Sequence, residues 1–153
     1  MPKKDVTLSC VFALVLAAAS SIPALADAVV KVSLWDKGGM MDMNMHGNTQ
    51  MAIMGIDIDQ KKVPAGKVTF DVSNASKETL HEMLISPIKD ENIVLPIVAN
   101  EDRVDEKASG DLGEVSELDP GKSGALTLEL KPGLYILFCN IPGHFMAGMW
   151  TTI

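Results

Sequence analysis

Short runs in which apolar and polar residues alternate dominate this chain. The segments Lys67–Ser73 (KVTFDVS) and Gly124–Leu130 (GALTLEL) place an apolar residue at every second position. This is the period of a β-strand with one buried face. Turn-forming residues separate the runs, as in Pro64–Gly66, Pro120–Gly121 and Pro132–Gly133. The pattern therefore predicts an all-β chain of short strands joined by turns.

Eight segments share this character and are predicted to be strands: Ala28–Trp35, Met51–Ile58, Lys67–Ser73, Thr79–Ser86, Ile93–Val98, Gly124–Leu130, Leu134–Cys139 and Met149–Ile153. Several short strands with such turns favour a Greek-key antiparallel β-sandwich. One stretch interrupts the pattern, since Lys89–Asp119 carries ten acidic residues. We predict that it is a long, exposed acidic connection with a helical turn near Asp102–Lys107.

The N-terminal segment Met1–Ala26 has the pattern of a secretory signal peptide. Two lysines precede an apolar run that ends in the small-x-small sequence ALA. We predict export to the periplasm, cleavage after Ala26 and a single domain that spans 27–153. An uncleaved membrane anchor is an alternative, although the run is short for a bilayer span of ~20 residues. A lipid anchor at Cys10 is less favoured, because Cys10 precedes most of the apolar run.

Charge and cysteine content narrow the classes of function. The chain has a net charge of −7, and loss of the signal peptide with its two lysines makes it more acidic. Nucleic acid is a poor partner for such a surface. Cys10 leaves with the signal peptide, so Cys139 is the one cysteine of the mature chain and no internal disulfide can form. A lone thiol in an oxidising compartment pairs with another chain, is buried and inert, or takes part in chemistry.

The stretch CNIPGHFMAGM, from Cys139 to Met149, suggests the chemistry in which the Cys139 thiol takes part. Thiolate and imidazole prefer copper or zinc, and a thioether adds a preference for copper. Cys139 and His144 supply the first two, and the turn Ile141–Gly143 can direct both towards one point. Met149 or Met146 could supply an axial sulfur. Two imidazoles and a thiolate in a plane, with a weak axial thioether, suit a copper ion that changes oxidation state.

A second histidine is required, and the mature chain offers His46 and His81. His81 stands at the start of an apolar run that looks like a core strand. Three other interpretations remain open. Cys139 could be a buried core thiol with His144 in a turn, or the two could form a nucleophilic pair. A zinc site is also conceivable, although it usually carries more Cys or His ligands.

The pattern His81 … YILFCNIPGHFMAGMWTTI, with C-x4-H-x4-M spacing, resembles the cupredoxins, the small blue-copper proteins. It is most similar to their plastocyanin-like bacterial members, the rusticyanins among them. The resemblance covers roughly Val63–Ile153 and implies a cupredoxin-like sandwich with one type 1 copper per chain. It implies His81, Cys139 and His144 as equatorial ligands and Met149 as the axial ligand.

Two neighbours of these ligands are notable in the light of the resemblance. Gly148 would let the backbone approach the site closely. Glu82 departs from the family pattern, because many cupredoxins have Asn, Asp or Ser after the first histidine. The resemblance further implies a monomeric, non-enzymatic one-electron carrier whose partner is a cytochrome c, a reductase or an oxidase. An apolar surface around His144 would form the docking patch: Ile141, Pro142, Phe145 and Met146.

A methionine-rich segment, Met40–Met54, offers an alternative function. It contains MMDMNMH, and thioethers suit Cu(I) where free thiols are at risk of oxidation. Together with His46 it could form an auxiliary Cu(I) site in a protein for copper tolerance or delivery. Equally, its methionines could pack over one end of the sandwich.

Overall fold

The structure is a computed structural model that describes residues 27–37 and 53–153. The predicted signal peptide and residues 40–52 of the methionine-rich segment lie outside this part of the chain. The described residues form ten strands and one short helix: β1 Ala28–Asp36, β2 Met54–Ile58, β3 Gly66–Asn74, β4 His81–Ile88, β5 Ile97–Val98, β6 Arg103–Val104, α1 Glu106–Ser109, β7 Glu114–Leu118, β8 Ser123–Leu130, β9 Leu134–Phe138 and β10 Trp150–Thr152.

Two four-stranded sheets pack face to face, which confirms the predicted all-β sandwich. The first sheet has the order β2-β1-β3-β8 and the second has the order β10-β9-β4-β7. All neighbouring strands in these sheets are antiparallel except β1 and β3, which run parallel. β2 lies against β10 at one edge of the sandwich, and β7 lies against β8 at the other.

The alternating residues of the strands form the core between the sheets. In β3 the residues Val68, Phe70 and Val72 are fully buried, and the residues between them face outward or are half-buried. From the second sheet, Met83, Ile85 and Leu137 enter the same cluster. This is the one-face burial that the period of two predicts.

The acidic connection is less exposed than the sequence predicts. It covers the outer face of the second sheet, where Leu84, Ile136 and Phe138 form a second buried cluster with Val104 of β6. Ile93 and Leu95 pack against this cluster. The prediction of an exposed connection was therefore wrong for this part, because its apolar residues cover a sheet that is buried on both faces.

Two element predictions inside the connection also need correction. Of the predicted strand Ile93–Val98, only Ile97–Val98 pairs, and it pairs with β6. The acidic segment Glu114–Leu118 was not predicted as a strand, yet it forms β7 against β4. Tertiary pairing here outweighs the low β-propensity of glutamate. The predicted helical turn exists as α1, capped by the Asp105 side chain. In the described residues no helix is long and apolar enough to span a membrane.

Close packing at the β7–β8 edge can be tested at Gly124. A Cβ added there would lie 2.6 Å from Cγ1 of Val115, a buried and β-branched side chain with little freedom to move. We expect Gly124→Ala to lower the free energy of unfolding by about 1–3 kcal/mol, measured by urea denaturation. Ala125→Ser, at the exposed neighbour, is the matched control and should change it by less than about 0.5 kcal/mol. Equal stability of Gly124→Ala and the parent protein would contradict this packing.

Candidate metal centre

Strand direction brings the predicted ligands to one end of the second sheet. β9 ends at Phe138, directly before Cys139, and its neighbour β4 runs the opposite way and starts at His81. β10, on the other side of β9, starts at Trp150, directly after Met149. Three separate segments therefore meet at this end without any long excursion of the chain.

The register of β4 and β9 also places the side chains on the same face. Leu84 pairs with Phe138, and both point to the outer cluster. One residue nearer to this end of the sheet on each strand, Met83 and Cys139 point into the sandwich. The pairing of β4 with β7 is irregular between His81 and Met83, but the extra residue is on β7, so alternation along β4 is kept and His81 shares the inward face with Met83. His81 and Cys139 are both fully buried.

The side chains of His81, Cys139 and His144 converge on one point. The Nδ1 atoms of the two histidines are 3.3 Å apart, and Cys139 Sγ lies 3.3 Å from His144 Nδ1 and 4.0 Å from His81 Nδ1. An ion bound in the plane of three such ligands, at bond lengths of roughly 2.0–2.3 Å, would hold them roughly 3.5–3.8 Å apart. The three distances lie on either side of this range, each within about 0.2 Å of its nearer limit, so small shifts of the side chains would admit the ion. Among the described residues, these three are the one group of His, Cys, Asp or Glu side chains that lie close enough together to hold a metal ion.

Tight turns shape the loop from Cys139 to Met149. The His144 N–H donates to the Ile141 carbonyl at 2.9 Å, and the Met149 N–H donates to the His144 carbonyl at 3.0 Å. Gly143 and Gly148 both have positive φ, +83° and +89°, a region that favours glycine. A Cβ at Gly148 would meet nothing within 4 Å. Gly148 therefore provides the backbone conformation of the turn, and its close approach to the site remains a prediction.

Met149 is placed to complete the set. It is fully buried, and its carbonyl accepts a hydrogen bond from the Cys139 N–H at 3.1 Å. Its side chain belongs to the same buried cluster as Cys139. Met146, the competing candidate, is 66% exposed. The burial of these two residues favours Met149 as the fourth ligand, although its assignment stays a prediction.

Burial sets the protonation of the donors. Burial raises the pKa of the Cys139 thiol to about 11. Hydrogen bonds donated to the sulfur by the backbone N–H groups of Glu82 and Ile141 oppose this rise. Burial also lowers the pKa of His81 and His144, and Asp36 opposes this for both rings. The imidazoles are thus neutral and ready to bind at neutral pH, while the thiol must lose a proton when it binds a metal.

Asn140, which the sequence analysis did not single out, attaches the ligand loop to the acidic connection. Its side-chain carbonyl accepts from the Val104 N–H at 2.7 Å. Its amide group donates to the Val104 carbonyl at 3.1 Å and to Glu106 Oε1 at 2.9 Å. The Gly143 N–H donates to the Asp102 carbonyl at 2.9 Å. Asn140 is adjacent to Cys139 in sequence, but only the fold brings Val104 to it.

Glu82 is a buried carboxyl group beside His81, with 3% of its side chain exposed. Its Oε1 has no hydrogen-bond partner among the described residues and lies 3.9 Å from the nearest Arg103 nitrogen. Burial, with a contribution from the charge of Glu117, raises its pKa to about 7, and Arg103 opposes the rise. The residue that departs from the cupredoxin pattern therefore lies on the outer face, between the sheet and the connection.

The methionine-rich segment is described only at its end. Met54 begins β2 and packs against the main core. The Lys37 N–H donates to the Ile53 carbonyl at 2.9 Å, so the chain leaves and re-enters the described fold at one place. That place adjoins Asp36, which contacts His81. His46 and residues 40–52 lie outside the described residues, so the auxiliary Cu(I) site remains a prediction.

Comparison with known proteins identifies the fold. By sequence the chain matches no family model and no curated protein. By structure it is similar to a dithionite-reduced auracyanin from the photosynthetic bacterium Roseiflexus castenholzii, with a TM-score of 0.51, 19% identity and coverage of 84% of this chain and 96% of that chain. It is also similar to rusticyanin from Thiobacillus ferrooxidans, with a TM-score of 0.53, 19% identity and coverage of 83% and 75%. The chain therefore has the cupredoxin fold.

The Asn140 contacts predict a measurable loss of stability. We expect Asn140→Ala to lower the free energy of unfolding of the metal-free protein by about 1–3 kcal/mol, since it leaves the buried Val104 N–H without its acceptor. Urea denaturation measures the change. Asn92→Ala, at an exposed asparagine, is the control and should be neutral within about 0.5 kcal/mol. If both variants lose the same stability, Asn140 does not hold the two segments together.

Proposed function

We propose that this protein is a type 1 copper protein that carries single electrons in the periplasm. In this proposal His81, Cys139 and His144 would hold the copper, and Met149 would be its fourth, weaker ligand. The observation that carries it is the convergence of one cysteine sulfur and two imidazole nitrogens within 4.0 Å of one another. Thiolate, imidazole and thioether together are the donor set of blue-copper electron-transfer sites.

The bound ion would supply the electron by alternating between Cu(I) and Cu(II), and the protein residues would keep its surroundings constant. Protein hydrogen bonds hold Cys139, His144 and Met149 in one compact loop. The two N–H groups directed at Cys139 Sγ orient the thiolate and lower its basicity. His81 is fully buried, whereas His144 is half-buried in the loop. The edge of His144 is therefore the shorter way for an electron to reach the surface.

The surroundings of His144 suit a brief contact with a partner. Pro142 and Met146 are exposed, and Ile141 is half-buried beside them. Phe145, predicted to belong to the same patch, packs edge-to-face on Phe138 at a ring distance of 5.8 Å and is partly buried. Substitution of Phe145 would thus disturb the outer cluster as well as the surface. Met146 is the better position at which to probe docking.

The proposed partners are a cytochrome c, a reductase or an oxidase, and the net charge of −7 favours one with a basic surface. We propose that the mature chain is a periplasmic monomer, cleaved after Ala26, without catalytic activity of its own. The support for one copper per chain is the three-ligand group of His81, Cys139 and His144. The rusticyanin to which the fold is similar is itself described as a copper protein.

Copper titration tests the proposed site. With one equivalent of Cu(II), we expect the protein to show an intense visible thiolate-to-copper band and a narrow copper hyperfine splitting. Cys139→Ser should lose both, because the sulfur that gives the band is gone. Visible and EPR spectra of the two proteins, recorded side by side, provide the measurement.

A conservative variant controls for disturbance of the loop. Met146→Leu alters an exposed methionine of the same loop and should keep the parent spectrum. A weak spectrum that is identical in the parent and Cys139→Ser would show that Cys139 is not a ligand. The same titration gives stoichiometry: more than one tightly bound Cu(I) per chain, lost on replacement of Met40, Met41, Met43 and Met45, would favour copper tolerance or delivery instead.

Docking through the surface around His144 is tested by electron self-exchange between two copies of the protein. We expect Met146→Glu to slow self-exchange about tenfold, since like charges at an interface are strongly unfavourable. Line broadening in NMR spectra of mixed Cu(I) and Cu(II) protein, at fixed ionic strength, gives the rate. The visible band should stay unchanged, because Met146 is not a proposed ligand.

Val29→Glu is the matched control for charge. Val29 is 51% exposed and lies near the start of β1, about 20 Å along the strand from the end that bears Asp36. It adds the same charge to the protein at the opposite end of the sandwich. Equal slowing by the two variants would mean that net charge, and not the surface around His144, controls the encounter.

A further inference from the structure

His81 has contacts at both nitrogens of its ring. Nδ1 faces Cys139 and His144, while Nε2 lies 2.8 Å from Ser76 Oγ and 3.3 Å from Asp36 Oδ2. The Asp36 side chain is only 8% exposed. A carboxylate thus lies behind the buried ligand ring, on the side away from the proposed metal.

The parallel pairing of β1 and β3 explains why two side chains reach the same nitrogen. Leu34 of β1 is in register with Asn74 of β3. Asp36 and Ser76 each lie two residues further along, so both emerge at the same level at the end of the first sheet. The Ala75 N–H donates to the Leu34 carbonyl at 2.8 Å and keeps the two chains together beyond the paired strands.

Further hydrogen bonds fix the position of Ser76. Its N–H donates to Asn74 Oδ1 at 2.9 Å. The Asn74 amide group in turn donates to the carbonyls of Thr79 and Leu118, each at 2.8 Å. Asn74 and Ser76 are both buried. The support behind His81 is therefore built into the protein and does not depend on a metal.

The protonation of the ring follows from this arrangement. A metal bound at Nδ1 requires the lone pair there, so the proton of the neutral ring is on Nε2. The Nε2–H group then donates a hydrogen bond to Ser76 Oγ. The same hydrogen also makes a second, longer hydrogen bond to the Asp36 carboxylate, so the interaction is bifurcated. A carboxylate paired with a metal-bound imidazole fixes the tautomer and makes the ring a stronger donor. Its negative charge acts through a buried contact, where the solvent screens it little.

We propose that Asp36 is a positioning residue that, through His81, favours the oxidised state of the bound metal. The inference rests on the proposed function, because it takes the ion at Nδ1 to be redox-active copper. A more electron-rich imidazole and a nearby negative charge both stabilise Cu(II) more than Cu(I). Asp36 therefore lowers the reduction potential of the site, while Ser76 fixes the direction of the ring.

Neutralisation of Asp36 tests the proposal in the copper-loaded full protein. Asp36→Asn keeps the shape and an acceptor oxygen but removes the charge. We expect Cu(II) affinity to fall by about 10–100-fold, with Cu(I) affinity almost unchanged. Each tenfold rise in the ratio of the Cu(I) affinity to the Cu(II) affinity raises the one-electron reduction potential by about 59 mV. Competition with chelators gives the two affinities, and spectroelectrochemical titration gives the potential independently.

Three further variants separate charge from structure. Asp71→Asn removes one carboxylate from an exposed position of β3 in the same sheet and should leave the potential nearly unchanged. Ser76→Ala removes the 2.8 Å contact without a change of charge and should shift the potential less than Asp36→Asn. Asp36→Ala should raise the potential as Asp36→Asn does, and it replaces that variant if the amide prevents folding.

The outcomes distinguish this inference from the proposed function. If the parent protein shows the thiolate band but the Asp36 and Asp71 variants have equal potentials, the role of Asp36 is refuted and the copper carrier stands. If the parent protein shows no such band, both proposals fail together. Ring nitrogen shifts of the metal-free protein give a readout without copper: His81 should be protonated at Nε2 in the parent and a mixture of tautomers in Asp36→Ala.

Discussion

The antiparallel pairing of β9 with β4 on one side and β10 on the other is the constraint on which the metal centre depends. It places the start of β4, the end of β9 and the start of β10 at one end of a single sheet. The register then directs His81 and Cys139 to the same face. A slip of one residue between β4 and β9 would turn one of the two outward, because side chains alternate along a strand. Burial of both sheet faces makes such a slip costly.

The first sheet contributes support instead of ligands. Asp36 and Ser76 reach across from the ends of β1 and β3 to the ring of His81, so the two halves of the sandwich meet at this candidate ligand. On the other side of the second sheet, the acidic connection supports the loop through Asn140. Glu82 faces this connection and Asp36 faces the sandwich. Two buried carboxyl groups thus lie on opposite sides of the second sheet, Asp36 against the His81 ring and Glu82 towards Arg103.

Much of this arrangement can be predicted from the sequence, and there is a physical reason why the remainder cannot. The spacing of Cys139, His144 and Met149 is local, so a motif can reveal it, and alternation predicted most of the long strands. The supports of the site depend on contacts between distant segments. Nothing in the residues around Asp36 indicates that β1 lies parallel to β3, and nothing around Asn140 indicates Val104 as its partner. The strand β7 was missed for the same reason, since its acidic sequence pairs only because β4 offers it an edge.

The hydrogen bonds within the loop from Cys139 to Met149 have a thermodynamic consequence. The bonds that hold this loop join protein groups to one another, and Asn140 and Gly143 anchor it to the neighbouring segment. Metal uptake therefore has little conformational entropy to overcome. This is unlike small zinc domains, in which metal binding and folding are one event. We expect folding and metal insertion to be separate steps here, so that the chain can reach its final shape first and acquire its ion afterwards.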